Sequence, residues 1–114
     1  MQTLEQLSQE LVTEACRDEV GLWLIVRAVR DDLLVQAPED VKATSLEVVR
    51  RMLESRRVEA GHYKPDGSGV VRWKSPTSSV LSKISAEWTL LGREPDISEV
   101  VVFVAADAGQ QPVE

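Results

Sequence analysis

The stretch VEAGHYKPDGSGVVRWK, residues 58–74, decides the fold class. Val58 to Tyr63 and Val70 to Lys74 are rich in strand-forming residues, and Lys64-Pro65-Asp66-Gly67-Ser68-Gly69 between them has the proline, aspartate and glycines of a chain reversal. The segment therefore predicts a β-hairpin. Its glycines do not read as a phosphate cradle, because such a loop leads from a strand into a helix amino terminus, and here strand follows strand.

Downstream, Ser75 and Pro76 are expected to open a helix, the serine as cap and the proline in the first turn. Its apolar stripe is Leu81, Ile84, Trp88 and Leu91, and Gly92 is placed to end it in a left-handed conformation. The run from Val100 to Ala105 is β-branched and aromatic, which predicts a buried strand beside the hairpin. Residues 1–106 are expected to form one domain and 107–114 a disordered tail.

Upstream, Thr44 and Glu47 have capping-box spacing ahead of Leu46, Val49 and Leu53, so a helix is expected from Thr44 to near Arg57. Gln36 to Ala43 reads as a connection with a short helical turn begun at Pro38. Val20 to Val35 reads as a helix led by Asp18, with Ile25, Val29 and Leu33 at a spacing of four. Gly21 and the β-branched residues keep a strand alternative open there. The first helix is capped by Thr3 and Gln6, with Leu4, Leu7, Leu11 and Ala15 on its apolar face. The expected fold is α+β: three N-terminal helices, the hairpin, a fourth helix and a C-terminal strand, forming a small antiparallel sheet with helices packed on it.

With 114 residues, 43% of them hydrophobic, the chain can close one core. Trp23, Trp73 and Trp88 mark where elements meet, and Trp73 and Trp88 are expected to pack together. Cys16 is the single cysteine, which leaves no intramolecular disulfide and makes a reducing cytoplasm the expected compartment. The start, MQTLEQLSQE, lacks the basic and then apolar segments of a secretory signal, and no apolar run reaches the roughly 20 residues of a membrane span. Neither export nor a membrane partner is expected.

No catalytic, metal or cofactor site is read from the residues. The only histidine, His62, lies 46 positions from Cys16 with no ligand-spaced companions. It alternates with Ala60 and Val58, as a hydrogen-bonded, partly buried strand residue would. Ser75, Ser78 and Ser79 gather at a helix start, where hydroxyls satisfy free amides. A nucleophile here would have no oriented base.

Charge layout is more informative. Residues 42–83 hold nine Lys or Arg against four Asp or Glu, a balance of +5, while the remainder holds four against fifteen, −11; the total is −6. A basic helix followed by a hairpin is the order of winged-helix nucleic-acid binders, and Arg50, Arg51, Arg56, Arg57, Lys64, Arg72 and Lys74 could meet phosphates. Against this, the acidic remainder repels a polyanion, and a winged helix does not continue into another long helix and strand. The arginines could instead pair with Glu47, Glu54 and Glu59.

Two segments resemble a family of small bacterial proteins: Ala60-Gly61-His62-Tyr63 through Pro65-Asp66-Gly67 to Trp73, and Glu87-Trp88-Thr89-Leu90-Leu91-Gly92-Arg93-Glu94-Pro95-Asp96-Ile97 leading to Phe103. The resemblance spans roughly residues 44–104 and is similar to that of immunity proteins, which implies a non-enzymatic domain whose partner is a bacterial toxin. An acidic surface steers toward a basic partner such as a nuclease, and Asp31, Asp32, Glu39 and Asp40 form the candidate patch. A homodimer is a further expectation within the same class, because a core stripe and an interface stripe look alike in sequence.

Overall fold

The computed structural model describes residues 2–96 and 99–106. They form an α+β fold of four helices and a four-stranded antiparallel sheet, in the order α1 (Leu4–Arg17), β1 (Val20–Gly21), α2 (Leu22–Asp32), α3 (Pro38–Glu54), β2 (Val58–Tyr63), β3 (Val70–Arg72), α4 (Thr77–Leu91) and β4 (Val102–Ala105). The tail expected beyond residue 106 lies outside the described residues.

Helix α1 begins as its residues predict. The Gln6 amide donates to the Thr3 hydroxyl at 3.1 Å and the Thr3 amide to the Gln6 side chain at 3.0 Å, which satisfies two free donors of the first turn. Leu7, Leu11, Val12 and Ala15 are buried, whereas Leu4 is only half-buried. Asp18 does not lead the next helix. It ends α1 in an extended conformation, and its carboxylate accepts from the Glu19 amide at 2.8 Å.

Val20 to Val35 is not one helix. Val20 and Gly21 pair with Phe103 and Val102 as a two-residue strand, and α2 starts only at Leu22, whose amide donates back to Val101 at 3.2 Å. Both readings left open by the sequence are thus realised in succession. Gly21 permits the switch by closeness rather than by φ: a side chain there would meet the Trp23 indole at 2.8 Å.

Helix α3 starts six residues before Thr44, at Pro38, and ends at Glu54. Pro38 lies in its first turn, where the missing amide costs nothing, and Glu39 and Asp40 there face the positive end of the helix dipole. Thr44 lies inside the helix, so the capping-box spacing is incidental. The buried stripe is Val41, Ser45, Val48, Val49 and Met52. The helix packs against α1, α2, α4 and β2, which makes it the central helix of the molecule.

The hairpin forms as expected, with β2 at its expected bounds and β3 ending at Arg72, two residues short of the expected Lys74. Tyr63 faces Val70, His62 faces Val71 and Gly61 faces Arg72, and the turn is closed by the Lys64 amide on Gly69 at 2.8 Å and the Ser68 amide on the Asp66 carboxylate at 2.9 Å. Gly67 has φ 76°, which its lack of a side chain allows without strain. In α4, Pro76 occupies the cap position and no side chain caps it; the Ser75 hydroxyl donates instead to the Trp73 carbonyl at 3.2 Å. Val80, Ile84 and Trp88 are its buried residues, while Leu81 and Leu91 are half-buried. Gly92 caps the helix at φ 70°, as anticipated.

Strand order is β1-β4-β2-β3, so the C-terminal strand lies beside the hairpin but also inside the sheet. Val20, Phe103 and Ala60 stand in one cross-strand row, and the Trp73 amide donates to the Ala60 carbonyl at 3.0 Å, extending that row to the edge. This face joins Leu7, Ile25, Val48, Met52 and Ile84 in the main core. Trp73 and Trp88 do not pack together. Among the described residues the ring contact of Trp73 is with His62, 6.3 Å between centroids, and the Lys83 ammonium lies 5.1 Å from its ring centre, while the Trp88 ring has the Lys42 ammonium 5.9 Å away.

Across the sheet, the Tyr63 hydroxyl donates to the Glu19 carboxylate at 2.5 Å, tying the end of β2 to the segment before β1. This hydrogen bond, then burial, then the charges of Glu19 and Asp18, push the Tyr63 phenol up to about 12 from 10.0. A raised value means the bond supports the fold fully below pH 10 and is lost as the pH climbs toward 12. Tyr63 is the only tyrosine, so phenolate absorbance reports it alone. The titration midpoint is expected near 12 and, in Glu19→Gln, nearer the ordinary range of about 10; equal midpoints would show that the hydroxyl does not face Glu19.

Candidate functional site

Helix α3 separates the two charged regions read from the sequence. Its 17 residues span about 25 Å, with Glu39 and Asp40 in its first turn and Arg50 and Arg51 near its last.

At the basic end the arginines are mostly neutralised. Arg50 forms ion pairs with Glu47 and with Glu54, the latter at 2.8 Å, and the Arg51 guanidinium donates to Glu47 at 3.1 Å. The Arg50 hydrogen bond first, and the Arg51 pairing after it, hold the Glu47 carboxyl below its usual range. Arg72 donates to Glu59 at 2.9 Å and to the Ala105 carbonyl at 2.7 Å, and Lys74 reaches Glu59 at 3.5 Å. Four of the seven candidate nucleic-acid residues therefore have acidic partners, the same Glu47, Glu54 and Glu59 that the spacing offered. Arg56, Arg57 and Lys64 form no ion pair among the described residues. Helix α3, which carries Arg50 and Arg51, packs against α1, α2, α4 and β2.

The acidic end is assembled from the last turn of α2, residues 33–37 and the first turn of α3. Asp31, Asp32, Glu39 and Asp40 are all exposed. Asp31 lies 3.8 Å from Arg27, both well exposed, a pair worth little in water. Asp32, Glu39 and Asp40 form no ion pair among the described residues. The two pairs of acids differ in cost. Glu39 and Asp40 favour the start of α3, but Asp31 and Asp32 sit at the negative end of the α2 dipole.

Leu34 follows within two residues, 60% exposed and with φ 59°. A left-handed conformation costs a non-glycine residue about 1–2 kcal/mol, and exposure wastes its apolar surface. Sequence reading missed this residue, since its neighbour Leu33 carries the apolar stripe. Residues 33–37 are fixed by Arg30, which donates to the Gln36 carbonyl at 3.3 Å and forms an ion pair with Glu94.

The segment Gly92-Arg93-Glu94-Pro95, which carries part of the family resemblance, is thus structural. Gly92 caps α4, Glu94 holds Arg30, and Pro95 is buried. Arg93 forks onto Glu99 with two contacts of 2.7 Å, and Glu99 also accepts from the Asp96 amide at 2.6 Å. Those bonds, Arg93 first, hold the Glu99 carboxyl down at about 2.

Elsewhere the chemistry-bearing residues have local duties. His62 is exposed rather than partly buried, and its Nδ1 accepts from the Trp73 indole at 2.8 Å. Cys16 is exposed, its Sγ 3.7 Å from the Arg57 carbonyl. Among the described residues, no three His, Cys, Asp or Glu side chains gather as a metal-holding group, and no helix is long and apolar enough to cross a membrane. The chain matches no family model, no curated protein and no solved structure in these comparisons, so the likeness to immunity proteins rests on the two quoted segments.

Proposed function

We propose that this chain is a non-enzymatic protein-binding domain of the immunity type, which masks a basic partner, a toxin such as a nuclease, with its acidic end in the reducing cytoplasm. The observation that carries the reading is the concentration of locally unfavourable choices at one place. Asp31 and Asp32 oppose a helix dipole, and Leu34 is both strained and exposed. Folding alone would favour lysines at the first two positions and glycine or asparagine at the third. Function is a common reason for such departures. An exposed leucine two residues past the Asp31-Asp32 pair suits a partner surface of basic and hydrophobic residues.

The test is capture from a native lysate on the tagged full chain, with and without nuclease, followed by mass spectrometry. One protein retained in both conditions, of basic character and released by raised salt, supports the reading. Retention of nucleic acid through Arg56, Arg57 and Lys64, lost at raised salt, would replace it with the nucleic-acid reading. Recovery of the chain's own second copy alone would make it a homodimer.

A further inference from the structure

The hairpin runs into α4 through Trp73, a half-buried residue packed against the main core. Its backbone holds both neighbours: the amide donates to the Ala60 carbonyl at 3.0 Å, and the carbonyl accepts from the Ser75 hydroxyl at 3.2 Å. Lys74, the next residue, has φ 55°, a left-handed conformation that a residue with a side chain adopts only at a cost. The joint is therefore strained, and contacts of the Trp73 ring oppose its relaxation. Two of them reach other elements. The Lys83 ammonium of α4 lies 5.1 Å from the ring centre, and the indole N–H donates to Nδ1 of His62 on β2 at 2.8 Å.

We infer that the His62–Trp73 hydrogen bond is a proton-sensitive latch on this joint. An imidazole accepts at Nδ1 only while neutral, with its own proton on Nε2. Protonation sets a second N–H against the indole N–H, and the bond breaks. No ion pair replaces it, since His62 forms none among the described residues. The charged groups around the pair are already engaged: Lys83 with Glu87 at 2.8 Å, Arg72 and Lys74 with Glu59, and the Asp66 carboxylate with the Ser68 amide, which leaves Lys64. Carboxylate, ammonium and guanidinium groups ordinarily change charge outside the interval of about pH 5 to 8 in which an imidazole does. His62 is exposed, so water delivers the proton freely. Release of the indole lets Lys74 relax toward an extended backbone and loosens the start of α4 from the sheet.

The experiment follows the indole N–H signals of Trp23, Trp73 and Trp88 in the isotope-labelled full chain as the pH is lowered from about 8 to about 5. Loss of one signal in Trp73→Phe assigns it. The Trp73 signal and the ring protons of His62 are expected to move with one shared midpoint, while the other two indoles stay still. Across that midpoint the Trp73 indole proton should exchange faster with water, and the protection of the Trp73 amide should fall about fivefold, the worth of one neutral hydrogen bond. Both are measured against the intrinsic exchange rate at each pH. His62→Gln keeps an acceptor that does not titrate, so indole and amide should hold throughout the range. A Trp73 signal that shifts while both protections stay level would report nearby charge alone and overturns the latch. So does a loss of protection that survives in His62→Gln.

Discussion

Replacing Phe103 by alanine is expected to lower the unfolding free energy by about 3–5 kcal/mol, a large part of the roughly 5–15 kcal/mol that holds a domain of this size together. Phe103 is fully buried, and it stands in β4 between Val20 and Ala60, with β1 on one side and β2 on the other. Its cross-strand neighbours are short, so they cannot extend into the space a phenyl ring leaves. Both flanking strands are hydrogen-bonded to β4, so the backbone cannot collapse inward either. The comparison is Val71→Ala on the edge strand β3, where the side chain is 39% exposed and the loss should stay below about 1 kcal/mol. Urea unfolding followed by tryptophan fluorescence, with an unchanged denaturant slope, measures both. A loss under about 1.5 kcal/mol for Phe103→Ala would mean that the row through Val20 and Ala60 is not the centre of the core.

The features legible in the sequence are those settled within a few residues. The capping box of Thr3 and Gln6, the turn from Lys64 to Gly69 and the left-handed Gly92 each satisfy a local backbone need, and each is where the residues placed it. The start of α3 misled for the same reason in reverse. Thr44 and Glu47 have the spacing of a cap, but Glu47 is engaged by Arg50 and Arg51, and Pro38 offers an equally good beginning one and a half turns earlier.

Strand β1 shows the opposite limit. Two residues carry no period, and the partner that makes them a strand, β4, lies some 80 residues away in the chain. The candidate site divides along the same line. Its acids could be counted, and the pairing of the arginines with Glu47, Glu54 and Glu59 follows from helix and strand spacing. The conformation of Leu34 depends on how α2, α3 and α4 end beside one another, which no window of sequence contains.

Reversing all four acids, Asp31→Lys, Asp32→Lys, Glu39→Lys and Asp40→Lys, is expected to slow association with a basic partner by roughly 10- to 1,000-fold while leaving stability nearly unchanged. The formal charge moves from −6 to +2, which turns steering into repulsion. Stability stays level because the two pairs have opposite effects on the fold. Lysines at the end of α2 gain from its dipole, and lysines at the start of α3 lose to theirs, by about 0.3–1 kcal/mol per residue in either direction.

The two halves separate binding from folding. Asp31→Lys with Asp32→Lys should melt slightly higher than the parent and bind more slowly, whereas a change that merely damaged the fold would lower both. Leu34→Asn belongs with them, since asparagine tolerates the left-handed conformation and removes the exposed leucine. It should keep or raise stability and speed dissociation rather than slow association, because an apolar contact acts after the charges have brought the partner in. Thermal melting beside stopped-flow binding to the captured partner gives both quantities. A double reversal of Asp31 and Asp32 that stabilises the protein and leaves the association rate untouched would sink the assignment of this end as the binding surface.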